Sequence, residues 1–271
     1  MNDEQNLAIN SNRHSLRSGV LHLLCGAIAL LVLGDLLNAE EGLRRYEYLQ
    51  IRMGIPVQIT LYADREDVAN RAADAAYDRF RELDRILSDY DPDSELMRFC
   101  AASAGTCVPL SPELMSVLTQ ARQFSQASDG AFDVTVGPVV KLWRVARRRK
   151  ALPDEKALAA ARELVDWQQV RLDAEQQTGA LLRAGMRLDL GAIAKGYAAD
   201  EALRVMKANG VAIALIDAGG DLTLGDPPPG RAAWSVVIEP LQPKATANGS
   251  AQPVPVTLHL KNCAVATSGD A

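Results

Sequence analysis

Asp189, Gly191, Lys195 and Gly196 fall within Leu188–Asp200, where a strand pattern gives way to a helix pattern. The glycines let backbone come close to a ligand, the first N–H groups of a helix favour an anion, and Lys195 adds a mobile positive charge. A pyrophosphate suits such a corner, and Asp189 beside it could face a hard cation such as magnesium, which takes oxygen ligands together with substrate phosphates. A tight junction with a solvated lysine accounts for the same residues equally well. Two further glycine–acid clusters follow, Asp217-Ala218-Gly219-Gly220-Asp221 and Thr267-Ser268-Gly269-Asp270. The first ends an apolar run and reads foremost as a hairpin turn, although strand ends also carry ligand loops. Asp133 and Thr135, after Gly130, could bind a ligand or cap local structure; Trp143 reads as core. Tyr90 beside Pro92 could stack on a planar ring or be an exposed turn residue.

Other chemistries find little support. His14 and His22 lie in the N-terminal apolar region, so a histidine-based mechanism would rest on His259, which alternates within a strand pattern as a surface residue would. Cys25, Cys100, Cys107 and Cys263 form no CxxC pair and no zinc-ligand spacing. In an exported chain Cys100 and Cys107 could close a small loop, or they could be independent thiols. A formal net charge of −5 gives no general attraction to nucleic acid, and none is expected as a partner.

The elements that must position these residues are a mixture of helix and strand. Tyr48 to Tyr62 reads as strand broken at Gly54 and Pro56; Val68, Ala72, Ala76, Phe80, Leu83 and Leu87 then recur at helical spacing. Ser111 is the expected N-cap of a second helix, with Pro112 in its first turn and an end near Ser128. The basic run Arg144–Lys150 reads as a solvated loop in preference to a phosphate-binding one, followed by a short Ala-rich helix to about Leu164. Strands are expected at Val170–Leu172, Met186–Leu190, Val211–Ile216, Trp234–Ile238, Val254–Leu260 and Ala264–Ala266, and a helix from about Ala192 to Ala208 closed by Gly210. Without regular βαβ alternation, the pattern favours an α+β body with a core of one large or two modest units. Residues 1–39 read as an export signal or membrane anchor, with Arg13, His14 and Arg17 before the apolar run Val20–Leu33 and Glu40 after it. The run falls short of the ~18 apolar residues of a spanning helix, and a fair cleavage site leaves signal and anchor both open, with a buried N-terminal helix as the lesser alternative.

Taken together, the order and wording of these motifs resemble the ApbE-type FAD:protein FMN transferases. The matching stretches are Met53-Gly54, Ser88–Leu96, Gly130–Pro138 with Leu142-Trp143, Leu188–Asp200, Asp217–Asp221 and Ala266–Asp270, so that a flavin transferase domain is expected over residues 46–271. The resemblance implies a periplasmic enzyme of α+β fold, with antiparallel-rich sheets packed by helices, that uses magnesium. It would transfer FMN from FAD to a threonine of a target protein and release AMP. Exported subunits of membrane electron-transfer complexes are the implied acceptors. By motif, Met53 and Tyr90 would pack on the flavin, Ala131, Phe132 and Asp133 would line the FAD site, and Asp189 and Lys195 would hold FAD. The backbone carbonyl of Ala192 would face magnesium. Ile55 stands where the family usually has threonine. The family's later His, Asp-Pro-x-Thr-Gly and Asp/Thr segment has no counterpart here, so the domain is expected to be C-terminally incomplete. Water in place of threonine would make the same residues an FAD pyrophosphatase, and loss of metal ligands would leave a flavin-binding protein of the envelope.

Overall fold

A computed structural model describes residues 42–238 and 255–267. The expected export signal or anchor and the Ser268–Asp270 part of the last glycine–acid motif lie outside the described residues. β1 (Arg44–Arg52) and β2 (Ile55–Ala63) form an antiparallel hairpin whose register closes on Arg52 and Ile55. The turn between them is Met53-Gly54, both with positive φ (50° and 73°), the twist-matched geometry of a two-residue hairpin loop. Glycine adopts it freely. Met53 is held in the left-handed region, where a side chain costs energy.

A five-stranded sheet runs β1-β2-β6-β7-β10, with β6 (Ala214–Ala218), β7 (Asp221–Leu224) and β10 (Cys263–Val265), and every neighbouring pair antiparallel. Side chains alternate faces along each strand. Val57, Ile59 and Leu61 of β2 and Ala214, Ile216 and Ala218 of β6 are buried in the main core. Against them pack α1 (Glu66–Leu87) and, further along the chain, a helix over Ala194–Ala208. α1 buries Ala72, Ala76, Phe80, Leu83 and Leu87 of the predicted stripe, leaves Val68 half-buried and adds Tyr77, and the Ala194–Ala208 helix presents Ala194, Ala198, Ala199 and Ala202. Small side chains on both let the helices approach closely. On the opposite face, Tyr62 and Leu215 meet Trp234 and Val236 of β8 (Trp234–Ile238), which pairs with β9 (Val256–Leu260).

The middle of the chain holds α2 (Glu95–Ala101), α3 (Pro112–Ala127), α4 (Gly137–Arg149), α5 (Glu155–Arg162) and a three-stranded sheet. That sheet orders β3 (Val108–Pro109), β5 (Thr178–Leu181) and β4 (Val170–Asp173). Ser111 caps α3 by accepting from Leu114 N, as predicted. The helix over Ala194–Ala208 is α6.

Several expectations need correction. Met186–Leu190 forms no strand; only a single bridge joins Arg187 to Val136. There the two backbones approach so closely that a Cβ on Gly137 would lie 2.5 Å from the Arg187 carbonyl oxygen. The basic run belongs to α4, whose last turn carries Arg147, Arg148 and Arg149 where the helix dipole favours cations, and Lys150 closes it in a left-handed conformation. Trp143 is 47% exposed rather than core. α6 starts at Ala194, since Gly191–Ile193 forms a turn in which Leu190 O accepts from both Ile193 N and Ala194 N. α2 follows the Ser88–Glu95 turn cluster unannounced, capped by Ser94, whose hydroxyl accepts from Met97 N at 3.1 Å.

Candidate functional site

The left-handed turn Met53-Gly54, the end of α1, the loop after it, α4 and the start of α6 converge on a cavity of about 570 Å³. Met53, Gly54 and Ile55 form one wall, Asp84, Leu87, Ser88, Asp89 and Tyr90 another, and Arg144, Gly191, Ala194 and Lys195 complete it. Ser88 Oγ accepts from Tyr90 N and Asp91 N, which pins the loop, and leaves the Tyr90 ring 78% exposed. Burial, with a further contribution from Asp91, raises the Asp84 carboxyl above its ordinary value.

Arg144 organises the cavity mouth. Its guanidinium lies 4.2 Å from the Tyr90 ring centroid, a cation–π stack. One nitrogen donates to Asp189 Oδ2 at 2.9 Å and another to Asp89 Oδ2. Burial alone would lower the Arg144 pKa, but the hydrogen bond to Asp89 and the negative charges of Asp89 and Asp189 raise it. The other Asp189 oxygen accepts from Gly191 N at 2.8 Å, shaping the turn that leads into α6 and Lys195. Lys195 Nζ stands 3.6 Å from Asp221 Oδ2, a long pairing that leaves the ammonium free to serve another anion.

A smaller neighbouring cavity of about 200 Å³ shares Gly191 and Lys195 with the first and adds Ala192, Gly196, Asp221, Thr223 and Ala264–Ala266. Lys195 therefore stands between the two. The Asp217–Asp221 motif is the β6–β7 hairpin turn, with Gly220 N donating to Asp217 Oδ1 and Asp221 turned toward Lys195.

Met53, Tyr90, Lys195 and, through Arg144, Asp189 are thus brought together. Ala131, Phe132 and Asp133 do not line either cavity. Phe132 meets Phe124 edge to face at 5.9 Å, and the Asp133 carboxylate accepts from Thr135 N, Thr135 Oγ1 and Trp167 N. Asp133 still bears on the site, because Val134 O next to it accepts from Asp189 N. Arg144 is the residue that sequence reasoning left in a solvated basic run rather than in the site. A signal was present in Gly137-Pro138, a helix start seven residues before it that continues the basic run as helix.

A family model described as the ApbE family matches residues 53–271. The chain belongs to the ApbE family. Among ApbE relatives, an FAD:protein FMN transferase of Treponema pallidum is 31% identical over 268 residues, covering 93% of this chain and 70% of that protein. One of Klebsiella pneumoniae is 33% identical over 68% of this chain, which spans 57% of the relative's length. Among solved ApbE structures, the apo flavinyl transferase of Pseudomonas stutzeri aligns with a TM-score of 0.71 at 28% identity, over 84% of this chain and 69% of that one. The ApbE protein of Thermotoga maritima aligns with a TM-score of 0.71 at 26% identity, over 84% of this chain and 71% of that one. The mixed α/β body with antiparallel sheets is the architecture these ApbE proteins share with it.

The residues present fit a flavin dinucleotide. An exposed aromatic face at Tyr90, a thioether at Met53 and an open Gly54 backbone suit a planar ring, while Arg144 and Lys195 supply positive charge for a diphosphate. The fit to magnesium is partial. No group of at least three His, Cys, Asp or Glu side chains that could hold a metal occurs among the described residues, so an ion at the Ala192 carbonyl would draw on phosphate oxygens for much of its shell.

Proposed function

We propose that this chain transfers FMN from FAD to a threonine of an acceptor protein. The observation that carries the proposal is the shared cavity of Met53, Tyr90, Arg144 and Lys195 in a chain of the ApbE family. The threonine hydroxyl attacks the phosphorus on the FMN side of the diphosphate, the P–O bond to AMP breaks, and the hydroxyl proton passes to solvent. Lys195 neutralises charge accumulating on the departing AMP phosphate, and Tyr90 and Met53 hold the ring so that the attacked phosphorus stays in line. Magnesium, held by the Ala192 carbonyl and phosphate oxygens, would supply further charge neutralisation. The acceptor is proposed to be an exported subunit of a membrane electron-transfer complex, which suits the apolar segment near the N-terminus and a periplasmic location.

Incubation with FAD, magnesium and an acceptor protein, followed by a denaturing gel imaged for flavin fluorescence, tests the reading. A labelled acceptor band is expected. AMP release without a band would mean hydrolysis, and no AMP at all would overturn the assignment. Lys195→Ala should weaken FAD binding by roughly tenfold, the loss of one charge-assisted contact, read by flavin fluorescence quenching. Unchanged affinity would place the diphosphate elsewhere.

A further inference from the structure

We propose that Arg144 sets the charge selectivity of the flavin cavity, as a positioning residue that neutralises Asp89 and Asp189 so that an anionic diphosphate can enter. The inference rests on the flavin-site reading and adds a residue to it. The cavity has an unfavourable lining for an anion. Asp84 and Asp89 line it, Asp189 sits behind Arg144, and the positive charges in the lining are Arg144 and Lys195, while Arg187 outside it donates to the Asp89 backbone carbonyl rather than to its carboxylate. Lys195 pairs with none of these three carboxylates; its ion-pair partner among the described residues is Asp221, at 3.6 Å. The Asp89 and Asp189 side chains are each only 10% exposed, so water screens them poorly, and both lean on the same guanidinium. Without that guanidinium the cavity mouth would present two unpaired carboxylates to a dianionic ligand. The same group stacks on Tyr90, where it fixes the ring as one side of a slot for a planar molecule.

Charge and shape make different predictions for ligands that carry the same ring. Riboflavin is neutral, FMN carries a phosphate, and FAD carries a diphosphate. Titration of the wild-type protein, Arg144→Gln and Arg144→Lys with each flavin by fluorescence quenching, at low and high salt, separates the effects. Arg144→Gln should lose FAD affinity by roughly tenfold or more while riboflavin affinity changes by less than about threefold, and high salt should narrow the gap. Arg144→Lys should recover most of the FAD affinity. The double variant Arg144→Gln with Asp89→Asn removes a negative charge together with the positive one. It should bind FAD better than Arg144→Gln alone, and it provides the test if the single variant fails to fold. Equal losses for riboflavin and FAD would reduce Arg144 to a support for Tyr90, and undiminished FAD affinity in Arg144→Gln would remove it from the site; either result overturns the inference alone. A wild-type protein that binds none of the three flavins overturns the flavin-site reading and this inference with it.

Discussion

Single side chains in this protein divide between those aimed into the cavity and those that hold the backbone behind it. Asp133 belongs to the second group: its carboxylate takes the amide and hydroxyl of Thr135 and the amide of Trp167. The Thr135 hydroxyl in turn accepts from Asp166 N, so the carboxylate ties the Val134–Val136 stretch to the segment before β4. Asp133→Ala is expected to destabilise the fold by about 2–4 kcal/mol, since several buried donors lose their acceptor together. FAD affinity should fall less than in Lys195→Ala. Denaturant midpoints and flavin titration of the two variants check this, and a larger affinity loss in Asp133→Ala would put its carboxylate in direct contact with ligand.

Among the elements, α1, α3 and α6 are joined by a polar clamp under their apolar packing. Arg79 of α1, 11% exposed at its side chain, donates to Glu113 of α3 and Glu201 of α6. Glu201 also holds Arg204, and the hydrogen bond from Arg204, opposed by burial and aided by Arg79, depresses its carboxyl. Because α6 carries Lys195 at its first turn, the clamp helps to fix where that ammonium stands. Arg79→Ala leaves Glu113 and Glu201 without their shared cation and is expected to cost about 3–5 kcal/mol. A depressed carboxyl contributes stability that is present above the unfolded carboxylate pKa and lost as pH falls through the folded one. The stability difference between wild type and Glu201→Gln should therefore be largest near neutral pH and shrink on acidification below the ordinary carboxylate range. Denaturant unfolding across pH measures it, and a gap that widens in acid would contradict the clamp.

At the scale of the whole molecule, the five-stranded sheet separates two apolar clusters, one under the helices and one under β8 and β9. The cavity opens on the helical side, around α1, α4 and α6. Trp234 lies on the other side, with its ring centroid 6.1 Å from that of Tyr62 and its indole N–H donating to Asp226 O. Trp234→Ala is expected to cost about 3–5 kcal/mol through lost burial and packing. FAD affinity measured well below the melting transition should stay within about twofold, as the sheet's stiff core lies between. A large affinity loss in a folded Trp234→Ala protein would show that the two faces are coupled.

Local signals were sufficient for much of this architecture. The apolar stripe from Ala72 to Leu87 made α1 legible, Ser111-Pro112 marked the start of α3, and Asp217–Asp221 read as the hairpin it is. Met53, Tyr90, Asp189 and Lys195 were singled out by the resemblance of their motifs to the ApbE family, and the fold gathers them around Arg144. Three features depended on contacts between distant parts of the chain. Met186–Leu190 has strand composition but joins no ladder, only the single bridge from Arg187 to Val136 beside the close approach at Gly137. Ala131–Asp133 sits in a motif of the site, yet the amides of Ala131 and Phe132 turn to Ser128 and the Asp133 carboxylate to Thr135 and Trp167. Arg144 looks like one of several solvated cations, and only the tertiary fold brings Asp89, 55 residues earlier, and Asp189, 45 residues later, onto its guanidinium. Periodicity and capping are properties of neighbours in sequence; the pairing of a buried charge is decided by whichever segments packing places beside it.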